Sequence, residues 1–333
     1  MIIASAPGRC GIVGNPSDMY GGSVISCSTT ERAYCELTTD VLVTTIEVSG
    51  VTQELTQISD LKLHDGDYLN VVRAVLSALE VDPATCKPFG LKAYTEIPMK
   101  AGLAGSTAIL TAVVGAVLAY LEIGVQRHGI AELVRKIERE FLGIVCGYQD
   151  QYMSTFGGLN YMDFRDKSPS VMTEDEMVFA TVENLNHYVG APPLVLAHTG
   201  VQHHSGTVHT PLLERWLAGD TEVVDGNLEI AKLARAGKRA LLSQDWELLG
   251  ALMNQNHAIQ KSLGGSAESN DRMIKAALDA GALGSKLAGA GGGGTIIAIT
   301  TDPEAMGAAL LAAGAEAIYT PRPLSGLTVE VRM

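Results

Sequence analysis

The sequence predicts an α+β protein built from two mixed layers of helix and sheet. Runs rich in β-branched residues dominate the first half, helical patterns fill most of 212–280, and strand-like sequence with many glycines returns at 284–300 and 327–332. With 333 residues, of which 47% are hydrophobic and 18% charged, the chain is long enough for about two domains. Because Pro192-Pro193 precedes a new strand, we predict domains at 1–190 and 191–333.

The first half reads as strands separated by turns, with helices between them. Ala6-Pro7-Gly8-Arg9 is expected to turn between strands at 1–5 and 11–13, and Asn15-Pro16-Ser17-Asp18 is a strong turn signal. β-Type sequence predicts further strands at 24–27, 33–37, 41–48, 91–96 and 160–164. Helical patterns predict helices at 67–79, 106–121 and 131–142.

The second half is mainly helical. A strand at 194–198 opens it, because four apolar residues follow the two prolines. Helical patterns then follow at 212–218, 224–242, 246–263 and 269–280. Glycine-rich sequence and strands close the chain.

Composition and charge limit the function classes. The net charge of −13 argues against general binding to nucleic acid or membranes, so an anionic substrate would need positive charge supplied locally. The apolar run at 109–121 is too short to span a bilayer, and no signal peptide is evident at the start. Scattered cysteines without a C-x-x-C pair indicate a reducing compartment. We expect a soluble cytoplasmic protein, with a homodimer left open.

The stretch 97–108 suggests phosphate binding. Pro98 opens a loop of small residues in which Gly102 and Gly105 let backbone N–H groups come close to a ligand. The helix expected from Ser106 adds unpaired N–H groups and the positive end of its dipole, which suit a phosphate. The Ser106 hydroxyl can cap this helix or reach a metal ion. The alternative is an ordinary loop and a serine-capped helix; no lysine follows Gly105, as it would in a G-x-x-x-x-G-K-[ST] loop.

Charged residues at two other places suit phosphoryl transfer. Arg9 and Asp18 flank a short turn, where they can form a structural pair or a cap, or bind an anion and substrate hydroxyls respectively. Glu138 lies late in a predicted helix and can be merely solvated, whereas Asp150 lies on a glycine-flanked turn in an uncharged run. Phosphoryl transfer to a hydroxyl needs one carboxylate near the acceptor and another that holds Mg²⁺.

The segment 286–295 is a glycine-rich loop that leads into an expected strand at 296–299. It can be a flexible hairpin. Inside a folded domain, such a run more often lets the backbone approach a ligand or another loop. We expect it to close behind a nucleotide or to support the loop before Ser106.

In combination, these segments resemble the GHMP superfamily of small-molecule kinases, named for galactokinase, homoserine kinase, mevalonate kinase and phosphomevalonate kinase. The Pro-Gly-Arg opening, the P-x-x-x-G-L-x-x-S-x-A loop and the K-L-x-G-x-G-G-G-G loop occur in this order. Gly105 replaces the first serine of the usual G-L-G-S-S-A-A motif, and Ser106 keeps the second. The resemblance implies an N-terminal domain like ribosomal protein S5 domain 2, a ferredoxin-like C-terminal domain, and an active site between them.

The resemblance also implies ATP and Mg²⁺ as cofactors and gives candidate roles to individual residues. Asp150 and Arg9 would be catalytic, and Ser106 and Glu138 would hold Mg²⁺. The ATP-binding segment would comprise Pro98, Lys100, Ala101, Gly102, Leu103, Ala104, Gly105, Ser106 and Thr107. The substrate would be bound by Arg9, Asn15, Asp18, Tyr20, Asp150, Gly289 and Gly291.

A narrower resemblance, to plant glucuronokinases, extends over nearly the whole chain. It rests on segments at 14–20, 103–106, 143–150, 157–164, 215–220 and 252–256. It implies phosphorylation of the anomeric hydroxyl of D-glucuronate or a related uronate. Departures at Gly21, Met99-Lys100 and His203-His204 leave the sugar open. Lys100, Arg9, His203 and His204 are candidate partners for a substrate carboxylate.

Other functions remain open at this stage. One is a kinase of the same fold acting on a neutral sugar, a heptose phosphate or another small alcohol. A second is a ligand-binding relative that has lost catalysis, against which the retained Ser106, Glu138 and Asp150 argue. A third is a decarboxylase of the same superfamily.

Overall fold

A computed structural model describes residues 1–167, 178–201 and 205–332, which form two β-sheets and the helices packed on them. In chain order, the strands are β1 (Ile2–Val13), β2 (Ser23–Thr38), β3 (Thr44–Val48), β4 (Val51–Leu55), β5 (Gly90–Thr95), β6 (Leu159–Asp163), β7 (Thr181–Asn184), β8 (Leu194–His198), β9 (Gly284–Leu287), β10 (Thr295–Ile299), β11 (Ala317–Tyr319) and β12 (Thr328–Val331).

Helices connect these strands in both halves. They are α1 (Asn70–Ala78), α2 (Gly105–Tyr120), α3 (Arg127–Lys136), α4 (Gln149–Phe156), α5 (Asn186–Val189), α6 (Ser205–Leu217), α7 (Thr221–Leu242), α8 (Trp246–Ser262), α9 (Glu268–Asp279) and α10 (Pro303–Ala312). Short 3₁₀ turns lie at Ser17–Tyr20 and Ile58–Leu61, and a π-helical turn at Ile137–Phe141 continues α3.

The larger sheet has the order β12-β1-β2-β5-β3-β4, and β6 and β7 extend it from one end of β2. Its pairs are antiparallel except for β3 with β5. The smaller sheet has the order β11-β8-β10-β9 and is antiparallel throughout. The predicted α+β class is confirmed.

Helix α2 is the central helix of the first half. Apolar side chains surround it, and nearly all of its residues from Thr107 to Leu118 are buried, as expected for a helix that lies inside a protein. It packs on both long strands, β1 and β2. The start of α2, which follows the 98–104 loop, is therefore fixed rigidly relative to the sheet.

The predicted turn at 6–9 is wrong, because β1 runs unbroken through it. Pro7 pairs with Arg32 and Arg9 with Ser28, and the register shifts between these pairs. Such an irregularity accommodates Pro7, which has no N–H to give to the ladder. The shift also bends the strand beside the loop before α2.

The last strand belongs to the first sheet, not to the second. β12 pairs antiparallel with β1, from Ile2 with Val331 to Ser5 with Thr328. The two halves of the chain are thus joined by this return as well as by their connection near residue 190. The division at 190/191 stays a prediction.

Within the described ranges, no helix has the length and apolar character that a membrane crossing requires.

Candidate active site

Three segments that are distant in sequence meet along β1. The Arg9 N–H donates to the Leu103 carbonyl (3.0 Å), and the Gly11 N–H donates to the Ala288 carbonyl (2.8 Å). The loop before α2 and the loop after β9 therefore lie against the same strand. A Cβ on Gly289 would lie 2.5 Å from the Gly102 carbonyl oxygen, so only glycine permits this contact.

The glycine-rich loop therefore supports the loop before α2, as one of the two expectations proposed. Gly291 has a left-handed backbone (φ 97°), which favours glycine. Beyond it, the Gly293 N–H donates to Asn270 Oδ1 (2.8 Å) and its carbonyl accepts from Asn270 Nδ2 (3.0 Å). The loop is held by protein contacts and is not a free hairpin.

Arg9 and Asp150 form the central ion pair. Arg9 Nε and Nη2 lie 2.7 and 2.6 Å from Asp150 Oδ1, and Arg9 Nη1 donates to the Gly102 carbonyl (2.5 Å). The Arg9 side chain is buried, whereas 30% of the Asp150 side chain is exposed. Arg9 thus fixes a carboxylate that faces outward and links it to the loop before α2. The sequence left an Arg9–Asp18 pair open; the partner is instead Asp150.

Asp18 caps a helix that the sequence analysis missed. Its Oδ2 accepts from the N–H groups of Tyr148 (2.8 Å) and Gln149 (2.9 Å), at the start of α4. A Cβ on Gly147 would lie 2.0 Å from the same oxygen, which explains the glycine there. Burial raises the pKa of Asp18, and the two backbone hydrogen bonds oppose this effect. Asp150 is the next residue along α4, so Asp18 helps to hold it.

Both polar atoms of the Asn15 side-chain amide form hydrogen bonds within the protein. Its Oδ1 accepts from Lys286 Nζ (2.7 Å), and its Nδ2 donates to the Gly289 carbonyl (3.0 Å). The residue is buried, with 2% of its surface exposed. These contacts differ from the predicted one with a substrate hydroxyl, which stays a prediction.

Tyr20 lies beside a cavity and has a buried hydroxyl. Its ring packs on Trp216, with centroids 4.5 Å apart, and its Oη is buried without a hydrogen-bond partner among the described residues. A cavity of about 420 Å³ adjoins it, lined also by Gly22, Asn227 and Arg235. Burial raises the pKa of the Tyr20 phenol, so it stays protonated and can donate.

The start of α2 is free of side-chain caps. The helix begins at Gly105, its N-cap Ala104 has a left-handed backbone (φ 62°), and no side-chain cap hydrogen bond is present among the described residues. Ser106 lies inside the first turn and is exposed. The alternative of a serine-capped helix is thus wrong, and the N–H groups of this turn can bind an anion.

The rest of the predicted ATP-binding segment surrounds this helix start. Ala101 and Leu103 are buried and anchor the loop, whereas Lys100 is exposed and has a left-handed backbone (φ 56°). Pro98 is half-buried at the beginning of the loop. The exposed Lys100 side chain can therefore contact an anion while the loop keeps its conformation.

Glu138 lies buried below α2, in the π-helical turn. Its Oε1 accepts from Thr107 Oγ1 (2.7 Å), and its Oε2 accepts from Gln151 Nε2. Burial raises the pKa of Glu138 to about 7, although the bonds from Thr107 and Gln151 lower it; the Asp150 carboxylate raises it further. The hydroxyl that orients Glu138 is thus that of Thr107, next to Ser106.

These groups fit a magnesium ion bound together with nucleotide phosphates. Across the described parts of the chain, no three His, Cys, Asp or Glu side chains form a metal-ligand cluster. Magnesium commonly takes only one or two carboxylates from the protein and completes its shell with water and substrate phosphates. A carboxylate at Glu138 and a hydroxyl at Ser106, beside a phosphate-binding helix start, match that pattern.

Two predicted residues lie outside the described ranges, and three others make contacts that the sequence analysis did not predict. His203 and His204 lie outside the described residues. Sequence reasoning gave no role to Gln151, Asn256 or Lys286, whose partners are remote in the chain. Its place in the K-L-x-G-x-G-G-G-G loop was the available signal for Lys286.

Comparisons with known proteins identify the family of this chain. Residues 69–158 match the model for the GHMP kinases N terminal domain, and residues 238–318 match that for GHMP kinases C terminal. The probable glucuronokinase 2 of Arabidopsis thaliana is 31% identical over 304 residues, which are 85% of this chain and 81% of the relative. The chain belongs to the GHMP kinase family.

Other relatives of this GHMP kinase act on other substrates. A D-glycero-alpha-D-manno-heptose 7-phosphate kinase of Campylobacter jejuni is 27% identical, with 88% of this chain and 87% of that protein covered. The structure of Lactococcus lactis galactokinase complexed with galactose has a TM-score of 0.77 at 19% identity, covering 98% of this chain and 95% of that one. The second likeness concerns the fold.

Membership fixes the reaction class. This GHMP kinase is an ATP-dependent phosphotransferase with an alcohol group as acceptor. The uncapped α2 start and the Arg9–Asp150 pair are the features of this structure that suit such a transfer.

Proposed function

We propose that this GHMP kinase phosphorylates the anomeric hydroxyl of D-glucuronate or a related uronate, giving the 1-phosphate. The observation that carries the transfer is the Arg9–Asp150 pair, joined by Arg9 Nη1 to the loop before α2. The uronate as acceptor is supported by the resemblance to glucuronokinases over most of the chain.

The roles of the residues follow from their positions. Asp150 orients the sugar hydroxyl and accepts its proton, because its carboxylate is held by Arg9 yet partly exposed. An anomeric hydroxyl is more acidic than an ordinary alcohol, so a carboxylate is a sufficient base. Arg9 stabilises negative charge on the transferring group. The first turn of α2 binds the ATP phosphates.

Ser106 and Glu138 would hold the magnesium ion. When bound, Mg²⁺ neutralises charge on the β- and γ-phosphates. Thr107 orients the Glu138 carboxylate, and burial keeps this acid near its point of ionisation at neutral pH.

The site for the sugar remains to be assigned residue by residue. Asp18 and Tyr20 are our candidates for sugar hydroxyls, since Tyr20 Oη has no hydrogen-bond partner among the described residues. The substrate carboxylate needs a cation, and Arg9 is already paired with Asp150. Lys100, which is exposed and lies within the described residues, is the alternative cation for the substrate carboxylate.

A heptose phosphate is the second candidate substrate class. The 27% identity to a heptose 7-phosphate kinase over 88% of this chain favours it. A phosphate group, like a carboxylate, would need a cation near the sugar site.

One experiment separates these candidates. ADP release from ATP and Mg²⁺ is measured in parallel with D-glucuronate, D-galacturonate, D-galactose, a heptose 7-phosphate and mevalonate. We expect turnover with glucuronate well above the others. Turnover with a neutral sugar or the heptose phosphate alone would refute the uronate and retain the kinase.

A further inference from the structure

Lys286 is a buried cation that contacts neutral groups. It lies on β9, fully buried, and its Nζ donates to Asn15 Oδ1 (2.7 Å) and to the Leu287 carbonyl. Burial, and the Arg9 guanidinium beside it, lower the pKa of Lys286 to about 7. Burying an amine costs free energy, which indicates that its hydrogen bond to Asn15 does more than fill space in the core.

Asn256 on α8 binds the backbone of two adjacent residues, Gly14 and Asn15. Its Oδ1 accepts from the Gly14 N–H (2.8 Å), and its Nδ2 donates to the Asn15 carbonyl (3.1 Å). Lys286 thus holds the side chain of Asn15, and Asn256 holds its main chain. Both come from the second half of the chain, whereas Asn15 belongs to the first.

The held turn leads directly to the catalytic carboxylate. Asn15 precedes the 3₁₀ turn Ser17–Tyr20, in which Asp18 caps α4 through the N–H groups of Tyr148 and Gln149. Asp150 follows in the first turn of that helix. A displacement of the 15–18 turn would therefore move the start of α4 and Asp150.

We propose that Lys286 and Asn256 are positioning residues for phosphoryl transfer, which act through Asn15 and the Asp18 cap to set the place of Asp150. The observation is two sets of buried hydrogen bonds, from β9 and α8 to Asn15 and from Asp18 to the start of α4, which the short backbone segment from Asn15 to Asp18 connects. The inference concerns the transfer step and is independent of which sugar accepts the phosphoryl group.

Single and double substitutions test this coupling. Lys286→Met and Asn256→Ala should each lower kcat about thirtyfold or more, because small displacements of a catalytic group have effects of that order. KM for ATP should change less than about threefold, since the α2 start is unchanged. Adding Lys286→Met to Asn15→Ala should lower kcat little further, because Asn15→Ala already removes the Lys286–Asn15 contact.

Asn254→Ala is the matched control for Asn256→Ala. Asn254 lies on the same helix and also binds backbone through both amide atoms, donating to the Leu283 carbonyl and accepting from the Ser285 N–H; Asn256 has one bond more, to Gln260 Oε1. It does not touch the 14–18 turn, so kcat should stay within about twofold while stability falls comparably. Equal losses of kcat in both variants would overturn the proposal.

Hydrogen exchange supplies a readout that needs no sugar. In Lys286→Gln and Asn256→Ala, the amides of Tyr148 and Gln149 should exchange faster, while those of β8 keep their protection. Asn254→Ala should leave both amides protected. Folded variants with unchanged exchange at 148–149 would refute the coupling, whatever acceptor the kinase uses.

Discussion

At the scale of single residues, we expect Asp150 to determine the rate of transfer. Asp150→Asn should leave ATP affinity nearly intact and lower kcat by several orders of magnitude, because an amide cannot accept the hydroxyl proton. The fold should survive, since the amide oxygen can still accept from Arg9. Steady-state kinetics and ATP titration calorimetry measure the two effects. Exposed Asp279→Asn is the control, and near-normal turnover in Asp150→Asn would exclude Asp150 as the base.

Glu138 should make the protein less stable as pH rises. The pKa of Glu138 goes from 4.5 to about 7 on folding, so the folded state holds the proton more tightly. The free energy of unfolding therefore falls between about pH 4.5 and 7, by about 3 kcal/mol at most. Glu138→Gln removes this fall and should be the more stable protein at pH 8, while needing more Mg²⁺ for activity.

Denaturation in urea at pH 5 and pH 8 measures that prediction. The new amide has a partner at hand, because Gln151 Oε1 is buried without one among the described residues and a rotated Gln151 can accept. Glu140→Gln, in the same turn but exposed, is the control. If the free energy of unfolding depended equally on pH in wild type and Glu138→Gln, the Glu138 carboxyl could not be buried with a raised pKa.

At the scale of elements, the contact between two loops controls the nucleotide site. Gly289→Ala places a Cβ 2.5 Å from the Gly102 carbonyl oxygen, which must displace the loop before α2. We expect ATP affinity to fall at least about tenfold, because the anion-binding turn is then misaligned. Gly124→Ala is the control, since its Cβ would have no atom within 4 Å. Unchanged ATP binding in Gly289→Ala would show that the two loops are independent.

Elements were predictable where their sequence pattern is local. The helices α7, α8 and α9 and the strand β8 lie within a few residues of their expected positions, because periodicity marks them. The start of α6 was placed seven residues late, because Pro211 lies inside the helix. The helix α10 was missed, although Asp302 caps it and Pro303 begins it.

The active site was predictable to the extent that motifs mark it. The sequence indicated Arg9, Asp150 and the loop before α2, which the structure brings together. It did not indicate α4, which shows little periodicity and is capped by Asp18 from 131 positions away. Contacts over such separations depend on the assembled sheet, so local helix propensity does not predict them.

At the scale of the whole molecule, the returning chain supports α2, the helix proposed to bind the nucleotide. Leu327 is nearly buried, and a Cβ on Gly115 of α2 would lie 2.8 Å from its Cδ1. Leu327→Ala should lower the free energy of unfolding by about 2–4 kcal/mol through the cavity it leaves. Thermal and urea denaturation measure this loss, and kcat should change little.

Leu324→Ala is the comparison for that substitution. Leu324 lies three residues earlier and is 40% exposed, so its loss should cost less than about 1 kcal/mol. Equal stabilities of the two variants would mean that the packing of Leu327 on α2 contributes little.

The pairing of β12 with β1 has a consequence during synthesis on the ribosome. Ser5 and Thr328, whose hydroxyls lie 3.0 Å apart, are separated by 323 positions. The edge of β1 that pairs with β12 therefore stays unpaired until almost all of this sequence has been translated. An open strand edge invites association with other nascent chains. Chaperones that shield extended segments should therefore raise the yield of this kinase during its translation, and matter less once β12 has docked.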